Sequence, residues 1–212
     1  VKSYDAGPTD IPILEETIGE NFERTVAAHP DVEALVDVAG DRRWTYGELN
    51  DEIDVVARGL MALGIEPGER VGIWAPNCAE WTIVQYATAK IGAILVNINP
   101  AYRTHELSYV LNQSGVRTLI SATAFKTSDY VGMVDEVRPE CHALREVIFL
   151  GTGDWENLRS GAEGVTAVEL RTRMACLDGN EPINIQYTSG TTGFPKGATL
   201  SHRNILNNGF FT

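Results

Sequence analysis

The sequence is poor in several things that would have narrowed its role. It has three cysteines in 212 residues. Cys78, Cys141 and Cys176 are too few and too widely spaced for a disulfide scaffold, and none forms a Cys-x-x-Cys pair, so a reducing, cytoplasmic setting is expected. The four histidines, His29, His105, His142 and His202, are scattered, with no His-Glu-x-x-His or Cys/His cluster, so no metal ligand is assigned. Positive charge is also short. Seventeen Lys plus Arg stand against 29 Asp plus Glu, a net charge of -12, which excludes a general nucleic-acid binder that must neutralise a phosphate backbone. No uncharged apolar run reaches eighteen residues, and Val1 to Asp10 has neither the cationic nor the apolar part of a signal peptide. No transmembrane segment is expected, and any lipid contact would be peripheral.

What is present is an ordinary folded composition, 43% apolar and 22% charged. The opening Val1 to Pro12 is expected to lie loosely on the surface. Leu14, Ile18, Phe22 and Val26 recur at helical spacing and predict a helix over 13–28, stopped by His29-Pro30. Ala34 to Val38 and Arg42 to Tyr46 flank Ala39-Gly40-Asp41 as a hairpin. Thr45-Tyr46-Gly47-Glu48 is a capping box, and Leu49, Ile53, Val56, Leu60 and Leu63 carry the helix to Gly64. Strand and helix then alternate: strand 70–75, a helix capped within 77–80 and ending at Gly92, strand 93–98, a helix capped by Thr104 and ending at Gly115, and strand 116–121. Such alternation predicts an α/β fold, a layered parallel sheet flanked by helices. A short helix over 130–137, a fourth parallel strand over 147–150, a loop of little fixed structure over 151–164, a helix over 163–175 and a strand over 183–188 complete the expectation. Strand order is not legible.

The chemistry concentrates in Tyr187-Thr188-Ser189-Gly190-Thr191-Thr192-Gly193-Phe194-Pro195-Lys196-Gly197. Glycines let backbone N–H groups approach a ligand, hydroxyls add donors that rotate onto phosphate oxygens, and Lys196 brings one positive charge, restrained by Pro195. An oxyanion is the ligand this set suits. A surface turn rich in Gly, Ser and Thr is the plain alternative. The segment is not a Gly-x-x-x-x-Gly-Lys-Ser/Thr loop, because Gly197 follows Lys196, nor a Gly-x-Gly-x-x-Gly turn. Thr188 has two readings, as phosphate donor or as a last strand residue turned into the core. Phe194 suits a loop anchor. His202, in the first turn behind the cap Ser201, has a structural reading.

Residues 187–197 resemble the signature of the adenylate-forming (AMP-binding) enzymes at every position. Ala198 to Asn204, Trp44 to Leu49, Gly68 to Pro76, and Gly92-Ala93 with Asn97 to Pro100 are similar to the same family, and Gln186 to Ala198 most resembles its fatty-acyl-CoA synthetase branch. The resemblance implies a ligase of lipid metabolism. In it a fatty or other carboxylic acid attacks ATP with Mg2+ to give an acyl-adenylate and pyrophosphate, and coenzyme A then accepts the acyl group. It also implies roles for the loop: Lys196 and Thr191 catalytic, with Thr188, Ser189, Gly190, Thr191, Thr192, Gly193, Phe194, Pro195 and Lys196 around the phosphates. By position His202 resembles a residue lining the acyl site, which stands beside its structural reading as an equal alternative. Loading of an acyl carrier protein, or a non-catalytic binding module, are the competing classes. Residues 1–212 are expected to form an incomplete N-terminal (large) domain, lacking the adenine- and ribose-binding part and a moving C-terminal domain. Such a portion is expected to be inactive alone and prone to self-association.

Overall fold

A computed structural model describes residues 10–188 and 195–212. The expectations for residues 1–9 and for Ser189, Gly190, Thr191, Thr192, Gly193 and Phe194 lie outside the described residues.

Helix α1 (Ile18–Ala28) begins five residues later than the apolar spacing predicts. The Thr17 side chain accepts from the Glu20 amide, and the Glu20 carboxylate accepts from the Thr17 amide at 2.8 Å, so this capping box fixes the start and leaves Leu14 outside the helix. Strands β1 (Glu33–Asp37) and β2 (Arg42–Thr45) form the expected antiparallel hairpin, turning at Asp41 with φ 50°. Helix α2 (Tyr46–Ala62) buries Leu49, Ile53, Val56 and Leu60 along one stripe, each fully buried side chain contributing about 2 kcal/mol.

The main sheet grows from β3 (Arg70–Trp74). Helix α3 (Ala79–Ile91) leads to β4 (Ile94–Asn97) on one side of β3, and α4 (Thr104–Ser114) crosses back to β5 (Thr118–Ser121) on the other. These two crossovers run in opposite directions, so right-handed connections put α3 and α4 on opposite faces. Arg103, not Thr104, caps α4: its amide donates to the Glu106 carboxylate at 3.1 Å. Both helices end in left-handed glycines, Gly92 at φ 74° and Gly115 at φ 64°. The small hairpin β6 (Ala124–Phe125) and β7 (Ser128–Asp129), which alternation did not predict, leads into α5 (Tyr130–Val137) and then β8 (Glu146–Phe149), parallel to β5.

The stretch 151–164, expected as a loop, contains α6 (Gly153–Gly161) and a 3-10 turn at Ala162–Gly164. Trp155 and Leu158 are buried against α2, and the Thr152 hydroxyl caps the helix, so packing overrides a glycine-rich composition. Helix α7 (Ala167–Met174) follows with its own Thr166–Glu169 capping box. Strand β9 (Pro182–Thr188) then returns beside β4, β10 (Lys196–Ser201) pairs with it, and α8 (His202–Phe210) ends the chain.

The sheet order is β10-β9-β4-β3-β5-β8. All pairings are parallel except β10 with β9, so the sheet is mixed at that edge. Successive strand residues serve opposite layers: Val71, Ile73, Leu95 and Ile120 pack with α2 and α3, while Trp74, Val96 and Leu119 pack with α4 and α5. Between α1, α2 and α3 the Lys90 ammonium is fully buried and is shared by Glu23, Asp54 at 2.6 Å and the Asn50 amide oxygen at 2.7 Å. Burial raises the Asp54 carboxyl pKa against the opposing pull of Lys90.

Candidate phosphate-binding edge and its cleft

The ends of the Tyr187–Gly197 segment are brought together by the β9–β10 pairing. Lys196 stands opposite Thr188, Gly197 opposite Tyr187 and Ala198 opposite Gln186. Thr188 and Lys196 are both exposed, which removes the reading of Thr188 as a core residue. The Thr188 hydroxyl reaches the Lys196 carbonyl only at the limit of a hydrogen bond, 3.5 Å. Lys196 makes no ion pair or side-chain hydrogen bond with the described residues, so its charge is uncompensated by them. Of the proposed site residues, the structure therefore brings together Thr188, Pro195 and Lys196, and the other six lie outside the described residues.

Gly197 has a packing reason for being glycine. A Cβ there would meet Ile185 Cγ2 at 3.0 Å and the Tyr187 ring at 3.3 Å, so the half-buried aromatic lies across the bare backbone of its cross-strand neighbour. Burial raises the Tyr187 phenol pKa and keeps it protonated at neutral pH. The Pro195 carbonyl accepts from the Tyr109 hydroxyl at 3.3 Å, and that oxygen accepts from the Gln113 amide at 2.7 Å, one turn along α4. Sequence reasoning passed over Tyr109, which stands off the Leu107, Val110 and Leu111 stripe that α4 buries and so carries no local signal.

Beside this hairpin, at the carboxyl ends of β3, β4 and β9, lies an open cleft of about 400 Å3 lined by Asn77, Trp81, Asn97, Asn99 and Gln186 among others. Ligands of open α/β sheets bind at this edge, where crossovers diverge. Its floor is braced from below. The Trp74 indole N–H donates to the Asn99 carbonyl at 3.1 Å, the Tyr130 hydroxyl donates to the Pro100 carbonyl at 2.5 Å, and the two rings stack at 3.6 Å and 5°. Trp74 and Tyr130 are both buried, and both hold the Asn97–Pro100 turn.

His202 belongs elsewhere. Ser201 pairs near Pro182 at the opposite end of β9, roughly 17 Å along β10 from Lys196, and His202 follows it at the start of α8. It is fully buried, its Nδ1 accepts from the Ile18 amide at 3.1 Å, and burial pushes its pKa down to about 4 although Glu181, Glu20 and Asp178 pull upward. Its role is structural, and the neutral ring joins α8 to α1.

The sequence pattern of the AMP-binding enzymes matches residues 22–212. The chain belongs to that family. Within it, the chain is 39% identical to the mitochondrial medium-chain acyl-CoA ligase ACSF2 of Mus musculus over 97% of its own length and 37% of that relative's. Among solved structures, the inhibitor-bound N-terminal domain of FACL13 from Mycobacterium tuberculosis superimposes with a TM-score of 0.75 at 30% identity, over 88% of this chain and 44% of that one. A fatty acyl CoA synthetase of Mycobacterium tuberculosis gives a TM-score of 0.74 at 30% identity, over 88% and 34%. The chain spans less than two fifths of the length of the curated relatives it matches. As a family member it carries the mixed α/β architecture of an N-terminal adenylate-forming domain. Among the described residues, no helix is long and apolar enough to cross a membrane.

Proposed function

We propose that the chain forms the N-terminal part of the large domain of an ATP-dependent acyl-CoA synthetase acting on a fatty acid. The carboxylate oxygen attacks the α-phosphorus of ATP and pyrophosphate leaves. The thiol of coenzyme A, losing its proton, then takes the acyl group and AMP leaves. The observation that carries this reading is the pairing of Thr188 with Lys196, at the carboxyl edge of the sheet, in a chain whose 187–197 segment has the family signature.

The chemistry asks for control of charge more than for a base, because a carboxylic acid with a pKa of about 4 to 5 is already ionised at neutral pH. Two anions must meet. The exposed Lys196 ammonium would offset the β- and γ-phosphates as the leaving charge grows. Hydroxyls of Thr188, Ser189, Thr191 and Thr192, with backbone N–H groups of Gly190, Gly193 and Phe194, would hold the pyrophosphate, and Pro195, which has no N–H, would restrict the approach to Lys196. Losing one such donor costs on the order of 3 kcal/mol of transition-state stabilisation. Magnesium would enter with the nucleotide as part of that substrate. Among the described residues, no group of three or more His, Cys, Asp or Glu lies together to hold a metal independently. The three free thiols suit a reducing cytoplasmic compartment, a location that cell fractionation tests directly.

The experiment is ATP–pyrophosphate exchange with carboxylic acids of graded chain length, using the enzyme that contains this chain, followed by acyl transfer to coenzyme A or to an acyl carrier protein. Fatty acids should support exchange, coenzyme A should be the acceptor, and Lys196→Ala should lower exchange about 100-fold or more. Undiminished exchange in Lys196→Ala and Thr191→Ala variants would remove the role assigned to the loop.

A further inference from the structure

At the amino edge of the sheet, opposite the cleft, three arginines stand in one row. The Arg117 amide donates to the Arg70 carbonyl at 2.9 Å, and the Arg145 amide donates to the Arg117 carbonyl at 2.8 Å, so Arg70, the first residue of β3, stands in register with Arg117 and Arg145, which immediately precede β5 and β8. Neighbours in such a row are about 4.8 Å apart and face the same layer. All three line a recess of about 200 Å3, together with Glu69, Gly115 and His142.

The charges in this recess do not balance. Arg70 gives its Nε to the Ser114 carbonyl at 2.7 Å and one Nη to the Gly68 carbonyl at 3.2 Å, bonds that fix the guanidinium without cancelling its charge. Its other Nη lies 2.7 Å from where a Cβ on Gly115 would stand, so the absent side chain, at φ 64°, opens room for it. Arg117 pairs with Glu69, the one carboxylate in the lining. Arg145 is exposed and makes no side-chain hydrogen bond or ion pair with the described residues. Three positive charges less one negative leaves +2 in the lining, on a chain whose net charge is -12. Like charges side by side on one sheet face are unfavourable unless an opposite charge joins them.

We propose that this recess binds a phosphoryl dianion, as the free ion or as a small phosphate monoester. Guanidinium forks match the paired oxygens of a tetrahedral oxyanion, and two net charges match a dianion. A volume of about 200 Å3 holds one such group but falls below the roughly 300 Å3 at which pockets for larger organic ligands begin. The site is separate from Thr188 and Lys196, which lie at the other end of the sheet. Binding there would relieve repulsion along the row and so stabilise the fold.

The test follows backbone amide resonances of Gly115, in the recess, and Gly197, at the loop, while the chain is titrated with inorganic phosphate and, separately, glycerol phosphate, at ionic strength held constant with chloride. A saturable shift at Gly115 is expected, weakened about tenfold by Arg145→Gln and unchanged by Lys196→Ala. Arg145 holds no side-chain bond, so its replacement should leave the fold intact. Binding of the monoester as well as the ion would show a site open to phosphate esters, and binding of the ion alone would restrict it to free phosphate. A Gly115 signal that does not move or does not saturate, an Arg145→Gln variant with wild-type affinity, or loss of the shift in Lys196→Ala would overturn the proposal.

Discussion

The hydroxyl of Tyr109 donates to the carbonyl of Pro195, 86 positions further along the chain, and so ties the last residue before Lys196 to the helix beneath it. One neutral hydrogen bond of this kind is worth about 1 kcal/mol net. If it fixes where Lys196 begins, Tyr109→Phe should weaken ATP binding roughly fivefold with little change in melting temperature. Titration of ATP against both proteins measures this, and equal affinities would mean that the bond is incidental.

His202 links acidity to stability. Its folded pKa of about 4 is depressed below the ordinary 6.5, so between those values the unfolded chain takes up a proton that the folded chain refuses. Its contribution is therefore complete above about pH 6.5 and is lost as pH falls toward 4, by up to roughly 3 kcal/mol. Urea unfolding across this window should show a steeper loss for the native chain than for His202→Asn, whose side-chain oxygen keeps an acceptor for the Ile18 amide without titrating.

Gly59 lies inside α2, where alanine would be intrinsically better by about 1 kcal/mol. A Cβ there would meet the Leu158 carbonyl oxygen at 2.2 Å. Gly59→Ala should therefore destabilise the fold, by roughly 1 to 3 kcal/mol, because α6 must move away. A denaturation midpoint at or above the native one would contradict the close packing.

Lys90→Met removes the buried cation and leaves Glu23 and Asp54 facing each other. Removing one member of a buried ion pair costs about 3 to 5 kcal/mol, and the lower end applies here because both carboxylates reach solvent. Thermal melts of Lys90→Met and of Lys90→Met with Asp54→Asn should show the double variant recovering part of the loss.

The alternation that contains β3, β4, β5 and β8 was legible because buried parallel strands, glycine helix stops and apolar helix stripes are all local signals. Helix α6 was not legible, since four glycines at 151, 153, 161 and 164 read as a loop and the burial of Trp155 and Leu158 against α2, about a hundred residues away in the chain, is what makes the helix worthwhile. The start of α1 was misplaced by following Leu14 when Thr17 and Glu20 already spelled the cap. For the candidate site, the segment itself was plain in the sequence, and the pairing of Thr188 with Lys196 agrees with strands on either side of it. Its tertiary supports were hidden, because nothing near Tyr109, Trp74 or Tyr130 in sequence says what their polar ends will reach.

The Trp74–Tyr130 stack gives the cleft an optical reporter of its own. An indole sealed from water and tied to the Asn99 carbonyl should emit at short wavelength, and any ligand that presses on the turn above it would change that emission without a label.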